Sequence, residues 1–238
     1  MMEIVDIHTH VLPGIDDGAK DWDTCLNMIA KSWEAGVRKI FATPHLVPWE
    51  KSADPATVRQ LCEETRIRVK KELGIAMYIY PGQEIYYHID ITKKLKEGQA
   101  LTLGGSRYVL VEFATDIPYR VLYRGIKEIC EAHFRPVIAH VERYECMRKP
   151  GRIQELEDIG VTFQMNVEAF QGGLLDETSR WAKKCLTNRR IHFLASDMHN
   201  LRNRPPMSES RLEWAKRKLD GEYLEEILCM NSGKFQTK

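Results

Sequence analysis

Histidine and carboxylate residues recur directly after the short apolar runs of this 238-residue sequence. The series begins with a His-x-His pair and ends with an Asp-x-His pair, and each spacing places two side chains on one side of an extended segment. Imidazole and carboxylate groups together are typical ligands of Zn, Mn, Fe and related divalent ions. The eight residues are His8, His10, His45, Glu84, Glu112, His140, Asp197 and His199.

The recurrence of this pattern carries more weight than any one of its members. A single His-x-His pair is weak evidence, because a histidine at a strand end is usually a hydrogen-bonded structural residue. Eight ligand candidates exceed the needs of one tetrahedral ion, so we expect two or three ions, with Glu84 or Glu112 bridging. The other three histidines, His88, His133 and His192, fall elsewhere, and we assign them structural roles.

The elements that must position these residues alternate along the chain. Apolar runs predict buried strands, and longer amphipathic stretches predict helices. Uninterrupted alternation indicates parallel strands joined by crossover helices, and the carboxyl ends of barrel strands converge on one face. We predict seven strands, at 4–7, 37–42, 76–80, 108–111, 136–139, 161–165 and 191–195. We predict helices at 22–35, 54–73, 89–96, 119–133, 152–159, 175–186, 208–219 and 223–230.

Seven such units favour a closed or nearly closed β/α barrel. An open doubly wound sheet also fits the alternation alone, but neither a GxGxxG nor a P-loop motif follows the first strand. The length suits one large domain or two small ones, and without a convincing linker we predict one domain over 1–238.

Composition excludes several classes of protein. A formal net charge of +1 does not indicate the strongly basic surface that is typical of nucleic-acid-binding proteins. Six cysteines without a CxxC pair indicate reduced thiols in a protein of the cytoplasm, where we expect this one. The first residues lack a signal-peptide pattern, and the absence of a long apolar stretch predicts no membrane insertion.

Six motifs, taken in order, resemble a known group of proteins. They are DIHTHVLPGIDDGAKD, IFATPH, PGQEIYY, YVLVEF, PVIAHVERY and ASDMHN. Together they are similar to the PHP (polymerase and histidinol phosphatase) superfamily, and most similar to bacterial manganese-dependent protein tyrosine phosphatases of capsular and exopolysaccharide synthesis. The resemblance runs from residue 4 to about residue 206 and implies a distorted (β/α)7 TIM-like barrel, the PHP fold.

The resemblance also implies a trinuclear site, usually occupied by Mn2+, although the same ligand types accept Fe, Co, Mg or Zn. One ion would be held by His8, His10, Glu84 and Asp197. Glu84 would bridge to a second ion that Glu112 and His140 also bind. The third ion would be held by Asp17, His45 and His199. Asp16 adjoins Asp17, and spacing alone leaves open which of the two is the ligand.

Two arginines match the basic residues that this group places near phosphate. They are Arg143 in HVERY, a departure from the commoner HPER form, and Arg204 in NRP, for which a surface or ion-pair arginine is nearly as good an interpretation. We take Arg143, Arg204 and Asp17 as the candidate catalytic residues. The implied reaction is hydrolysis of phosphotyrosine by a metal-bound hydroxide, on the tail of a bacterial tyrosine kinase.

Other functions remain open from the sequence. The same metals would serve a PHP phosphatase for a small phosphomonoester such as histidinol phosphate. An amidohydrolase-type barrel also begins with His-x-His, and a non-catalytic, metal-stabilised binding module needs no turnover. Two Cys-x5-Arg matches, Cys62 with Arg68 and Cys146 with Arg152, suggest a thiol phosphatase, but neither lies in a donor-rich loop after a strand.

Overall fold

The computed structural model describes residues 3–173 and 175–235, in which nine strands alternate with eight α-helices. The strands are β1 (Ile4–Thr9), β2 (Val37–Ala42), β3 (His45–Leu46), β4 (Tyr78–Pro81), β5 (Glu84–Tyr86), β6 (Tyr108–Glu112), β7 (Arg135–Ile138), β8 (Thr162–Asn166) and β9 (Phe193–Ala195). The helices are α1 (Trp22–Glu34), α2 (Pro55–Arg68), α3 (Ile91–Lys96), α4 (Tyr119–Glu131), α5 (Arg152–Glu157), α6 (Glu177–Thr187), α7 (Glu209–Lys218) and α8 (Gly221–Leu228).

The nine strand segments form seven strand positions, as predicted, because two positions are interrupted. The segments β2 and β3 continue one another across Thr43-Pro44, and β4 and β5 do so across Gly82-Gln83. Single hydrogen bonds carry the ladder through these breaks: the Gly82 N–H donates to Ala42 O and the Glu84 N–H to Pro44 O. Proline lacks an N–H, which explains why regular pairing stops near residue 44.

All strand pairs are parallel, and the sheet curls into a distorted (β/α)7 barrel. The pairs run β1–β2–β4 in one part and β3–β5–β6–β7–β8–β9 in the other. The ring closes between the last and first strands, where the Asp197 N–H donates to His8 O at 2.9 Å and the His10 N–H to Met198 O at 3.0 Å. Lower on this seam, the Asp6 carboxylate accepts from the Ser196 N–H at 3.0 Å.

A register shift in β1 decides where the first two histidines point. Val5 and Ile7 belong to the core inside the barrel, so strict alternation would turn His8 outward. The pairing of β1 with β2 is irregular between Asp6 and Thr9. A bulge of this kind redirects side chains, and here His8 and His10 both reach the barrel mouth.

Two apolar cores support the barrel. The larger lies between the strands and the surrounding helices, and a smaller one fills the barrel below the polar mouth. Phe235 closes the opposite end, with its ring centroid 5.0 Å from that of Phe193 and 5.5 Å from that of Phe41. The interior is therefore a packed core with an open polar site at the carboxyl ends of the strands.

All eight predicted helices are present, with ends that differ from the prediction by two residues or fewer once the π-helical turn after α2 is included. Asp21 and Asp54 cap α1 and α2 by accepting from N–H groups three residues on, as an N-cap should. The predicted helix over 54–73 is α2 followed by one π-helical turn, Val69–Leu73, and Gly74 then adopts φ 68°. In the described part of the chain, no helix is long and apolar enough to cross a membrane.

His192 makes the structure sensitive to acid at a place remote from the polar mouth. Its Nδ1 accepts from the Phe163 N–H at 3.3 Å, and burial together with the Lys234 charge lowers its pKa from 6.5 to about 4. The neutral ring therefore favours the folded state above pH 6.5, and this contribution is lost as the pH falls through 4. Between pH 8 and pH 5 we expect the titration of His192 to lower the free energy of unfolding by about 2 kcal/mol.

The substitution His192→Asn keeps an acceptor near the Nδ1 position and removes the titration. Urea unfolding in chelator at pH 8 and pH 5 should show a smaller loss of stability for this variant than for the parent protein. His133→Asn, an exposed histidine at φ 67°, is the matched control and should behave like the parent. Equal pH dependence in all three proteins would contradict the assignment to His192.

Candidate metal centre

The carboxylate of Glu84 lies at the centre of the polar mouth. Its Oε2 is 3.1 Å from His8 Nε2, 3.2 Å from His10 Nε2 and 3.1 Å from His45 Nδ1. Its other oxygen, Oε1, is 2.8 Å from His140 Nε2. One buried carboxylate thus touches four imidazole rings contributed by three different strand positions, which is the arrangement expected of a bridging ligand.

Around Glu84, the described residues form three overlapping groups whose ligand atoms could each hold a metal ion. The first group joins Asp197 to His8 and His10, and Asp197 Oδ1 lies 3.4 Å from His8 Nε2. The second adds Glu112, whose Oε1 is 3.3 Å from His45 Nδ1 and whose Oε2 is 3.5 Å from His140 Nε2. Each group draws on several strand positions, so folding must precede its assembly.

The third group lies nearest the solvent. Asp17 Oδ1 is 3.3 Å from His199 Nε2 and 3.4 Å from His45 Nε2, and His10 completes the group. His45 therefore offers one ring nitrogen to this group and the other to Glu84 and Glu112. The structure brings together all nine residues that the sequence predicts as ligands: His8, His10, Asp17, His45, Glu84, Glu112, His140, Asp197 and His199.

Unpartnered buried atoms show that this cluster suits a cation. Among buried side-chain atoms that lack a hydrogen bond, five belong to it: His45 Nδ1, Glu84 Oε2, His140 Nδ1, Asp197 Oδ1 and His199 Nε2. Buried polar atoms normally have partners, since an unpaired one costs about 1–3 kcal/mol. Four of these atoms face the groups described above, whereas His140 presents its Nε2 to them, and imidazole nitrogens and carboxylate oxygens placed in this way fit divalent ions well.

The electrostatics of the cluster agree with this interpretation. Burial opposes protonation of His10, but hydrogen bonds to Asp16 and Glu84 outweigh it and raise the pKa of His10 to about 9. Burial likewise opposes protonation of His45, but the neighbouring Asp17 and Glu112 carboxylates outweigh it and raise the pKa of His45 to about 11. The carboxylates thus attract positive charge strongly, so metal ions and protons must compete for these rings.

Asp16 and Asp17 have different places in the structure. Asp17 faces the His45 and His199 rings, whereas Asp16 Oδ2 lies 2.8 Å from His10 Nδ1 and its Oδ1 accepts from the Gly18 N–H at 3.0 Å. A carboxylate on the far nitrogen of an imidazole fixes the ring and its tautomer. The geometry therefore favours Asp17 as the ligand and Asp16 as the residue that orients His10.

Gly18 allows this loop to lie against the first strand. A Cβ at residue 18 would overlap the carbonyl oxygen of His10. We therefore expect Gly18→Ala to displace Asp16 and Asp17 and to weaken metal binding about 10-fold to 100-fold. Gly221→Ala, where a Cβ meets no atom within 4 Å, is the control and should bind metal normally. Isothermal titration with Mn2+ measures both, and unchanged affinity in Gly18→Ala would contradict this role.

The sequence analysis missed two buried amides on β8. Gln164 Oε1 lies 3.0 Å from His8 Nδ1 and also accepts the His140 N–H at 2.7 Å. Its Nε2 donates to Asn166 Oδ1, and Asn166 Nδ2 donates to Asp197 Oδ2 at 2.9 Å. This chain of hydrogen bonds holds three of the candidate ligands from below.

Two of the candidate ligands also sit on unusual backbone. His140 has φ 32° and Asp197 has φ 52°, in the left-handed region that residues with a Cβ seldom occupy. Such conformations persist where the surrounding structure imposes them, and they cluster at functional sites. Here the left-handed residues lie just beyond the ends of β7 and β9, and this backbone conformation turns each side chain into the barrel mouth.

The two predicted arginines flank the cluster on one side. Arg143 Nη2 donates to Asp197 Oδ2 at 2.8 Å, and Arg204 Nη2 lies 2.6 Å from the same oxygen. Each guanidinium keeps further N–H groups, and the Nε of Arg204 is buried without a partner. The two guanidinium groups lie beside the cluster and have N–H donors still available, which is an arrangement that suits an incoming phosphoryl group.

The remaining sequence candidates lie outside the cluster. Cys62 is buried in α2, and burial raises the pKa of its thiol to about 12. Burial also raises the pKa of the Cys146 thiol, so neither cysteine has the lowered pKa of a nucleophile. A cleft of about 400 Å³ opens directly on the cluster instead, and its walls include Asp17, His45 and Glu112.

Fold and site together define a β/α-barrel protein with a histidine and carboxylate centre suited to divalent metal ions. Residues 4–236 match the family described as capsular polysaccharide synthesis, CpsB/CapC. The chain belongs to this CpsB/CapC family. It is 33% identical to tyrosine-protein phosphatase CpsB of Streptococcus pneumoniae over 98% of both chains. It is 32% identical to tyrosine-protein phosphatase YwqE of Bacillus subtilis over 84% of this chain and 79% of that one.

Solved structures support the same relationship. One from work on YwqE of Bacillus subtilis and CpsB of Streptococcus pneumoniae, described as metal-dependent tyrosine phosphatases, matches with a TM-score of 0.86. The identity is 29%, and the match covers 96% of this chain and 95% of that one. The phosphotriesterase homology protein of Escherichia coli matches with a TM-score of 0.63 at 9% identity, which shows a shared barrel fold alone.

Proposed function

We propose that this protein is a metal-dependent protein tyrosine phosphatase, formed by a single domain over residues 1–238. The observation that carries the proposal is the convergence of nine ligand-type side chains, with Glu84 at their centre, next to two arginines and an open cleft. Its relatives CpsB and YwqE, each named a tyrosine-protein phosphatase, support the choice of substrate.

The residues that would hold three ions are those of the three groups. His8, His10, Glu84 and Asp197 would hold one ion. Glu84 would also bind a second ion, together with Glu112 and His140. The remaining ion would be held by Asp17, His45 and His199. Divalent ions bound there would supply Lewis acidity for a phosphoryl oxygen and would acidify a water molecule. We propose Mn2+ as the natural ion, with Fe, Co, Mg and Zn as chemically acceptable substitutes.

The arginines and the amides act on either side of this centre. Free N–H groups of Arg143 and Arg204 would donate to phosphoryl oxygens, and their fixed charge would favour the more negative transition state. Gln164 and Asn166 would hold His8 and Asp197 in place from below. The neighbouring His199 and His45 rings keep the pKa of Asp17 low, so Asp17 would serve as a carboxylate and not as a proton donor.

We further propose that the substrate is the phosphorylated tail of a bacterial tyrosine kinase in capsule or exopolysaccharide synthesis. The family name, capsular polysaccharide synthesis, supports this context. The alternative is a phosphatase for a small phosphomonoester such as histidinol phosphate, which the same centre could hydrolyse.

A comparison of substrates separates these functions. With Mn2+ present, kcat/KM should be at least 100-fold higher for a phosphotyrosine peptide than for histidinol phosphate. A preference for histidinol phosphate would favour the small-molecule phosphatase. Mn2+ binding without turnover of either compound would favour a non-catalytic module.

A further inference from the structure

An aromatic pair, formed by an exposed tryptophan and a half-buried tyrosine, lies beside the candidate metal centre and is not explained by the chemistry above. Trp49 is 65% exposed, which is unusual for the largest apolar side chain. Its ring packs edge-on against that of Tyr86, with centroids 4.7 Å apart and planes at 75°. Trp49 lies in the loop after β3, and Tyr86 lies at the end of β5, so the fold brings the two rings together.

Tyr86 ties this pair to the centre. It is the last residue of β5 and lies opposite Glu112 in the β5–β6 ladder, while Glu84 lies two residues before it on the same strand. Tyr86 is thus adjacent to two of the proposed ligands, and Trp49 packs on Tyr86.

The loop that carries Trp49 forms one wall of the active-site cleft. Val47, Glu50 and Lys51, on both sides of the tryptophan, line the cleft together with Asp17 and Glu112. The Val47 N–H donates to Ser52 Oγ at 2.9 Å, and Gln83 Nε2 donates to Ala53 O at 3.0 Å. These bonds tie the loop to itself and to the barrel, so the tryptophan is presented on an anchored turn.

The chemistry of the substrate places an aromatic ring close to the metal centre. In phosphotyrosine the ring is bonded directly to the ester oxygen, so it must lie just outside the phosphoryl site. Aromatic rings pack favourably against one another in edge-to-face or offset arrangements. We infer that Trp49 and Tyr86 form the wall against which the phosphotyrosine ring packs, and that this wall selects aryl over alkyl phosphate esters. The inference rests on the proposed function and deepens it.

Steady-state kinetics of Trp49→Ala test the inference. KM for a phosphotyrosine peptide should rise about fivefold to tenfold, with kcat changed less than twofold, because ring packing is made equally in the ground and transition states. The inhibition constant of inorganic phosphate, which has no ring, should be unchanged. Trp49→Phe, which keeps a ring, should recover most of the loss in KM.

Tyr78→Ala is the matched control, since Tyr78 is an exposed aromatic at the other end of the same strand position. It should leave all constants unchanged. An unchanged KM in Trp49→Ala, or a parallel rise in the phosphate inhibition constant, would overturn the aromatic wall and leave the proposed function standing. Absence of phosphotyrosine hydrolysis by the parent protein would overturn the proposed function, and with it this inference.

Discussion

Glu84→Gln is expected to lower kcat/KM for a phosphotyrosine peptide by about 1000-fold or more. The substitution preserves the shape of the side chain and removes the one charge that all four surrounding rings share. Two proposed ions would lose a common ligand, so the molar metal content should fall as well. The measurement is steady-state kinetics together with metal analysis of the protein after dialysis against Mn2+.

The same variant should remain folded. The amide keeps the volume of the carboxyl group and can still hydrogen-bond to the surrounding imidazole rings, and the apolar core that fills the barrel lies below the polar mouth and is not altered. Circular dichroism should therefore match the parent protein. Glu213→Gln, the same change on the exposed face of α7, is the control and should retain activity and metal. Near-normal turnover by Glu84→Gln would refute its place at the centre.

Arg143→Lys is expected to lower kcat/KM about 100-fold while the metal content stays within twofold of the parent. Lysine keeps the charge that faces Asp197 but loses the planar fork that can bind two phosphoryl oxygens at once. Arg204→Lys should behave similarly, because both guanidinium groups approach the same Asp197 oxygen. The inhibition constant of inorganic phosphate should rise in both variants.

Arg217→Lys on α7 is the matched control, since its exposed side chain pairs only with Glu213 among the described contacts. A fall in activity accompanied by loss of metal would assign the arginines to holding Asp197. Unchanged phosphate inhibition would remove them from phosphate binding altogether.

Most of the site could be predicted from the sequence because parallel barrel strands end on one face. That rule alone places residues as distant as His8 and His199 together, and the structure brings them into one cluster. The fold followed from alternation and helix-capping signals, such as Asp54-Pro55 before α2. The breaks within two strand positions were missed, because local pairing around Pro44 and Gly82 depends on neighbouring strands.

What the sequence left open depended on tertiary contacts. The geometry that favours Asp17 over Asp16 as the ligand depends on the close approach of Gly18 to His10, and no spacing rule contains that contact. Gln164 and Asn166 were overlooked because amides are poor metal ligands. Their alternation at the end of a buried strand was nevertheless a signal of polar side chains facing the barrel mouth.

Reversible chelation tests the central claim most directly. The purified protein is assayed on a phosphotyrosine peptide, stripped of metal, assayed again and then titrated with Mn2+. We predict that stripping abolishes turnover and that Mn2+ restores it as the metal content of the protein rises. Full activity in the stripped protein, particularly if Cys146→Ser then abolishes it, would contradict a metal-dependent phosphatase and favour a thiol nucleophile.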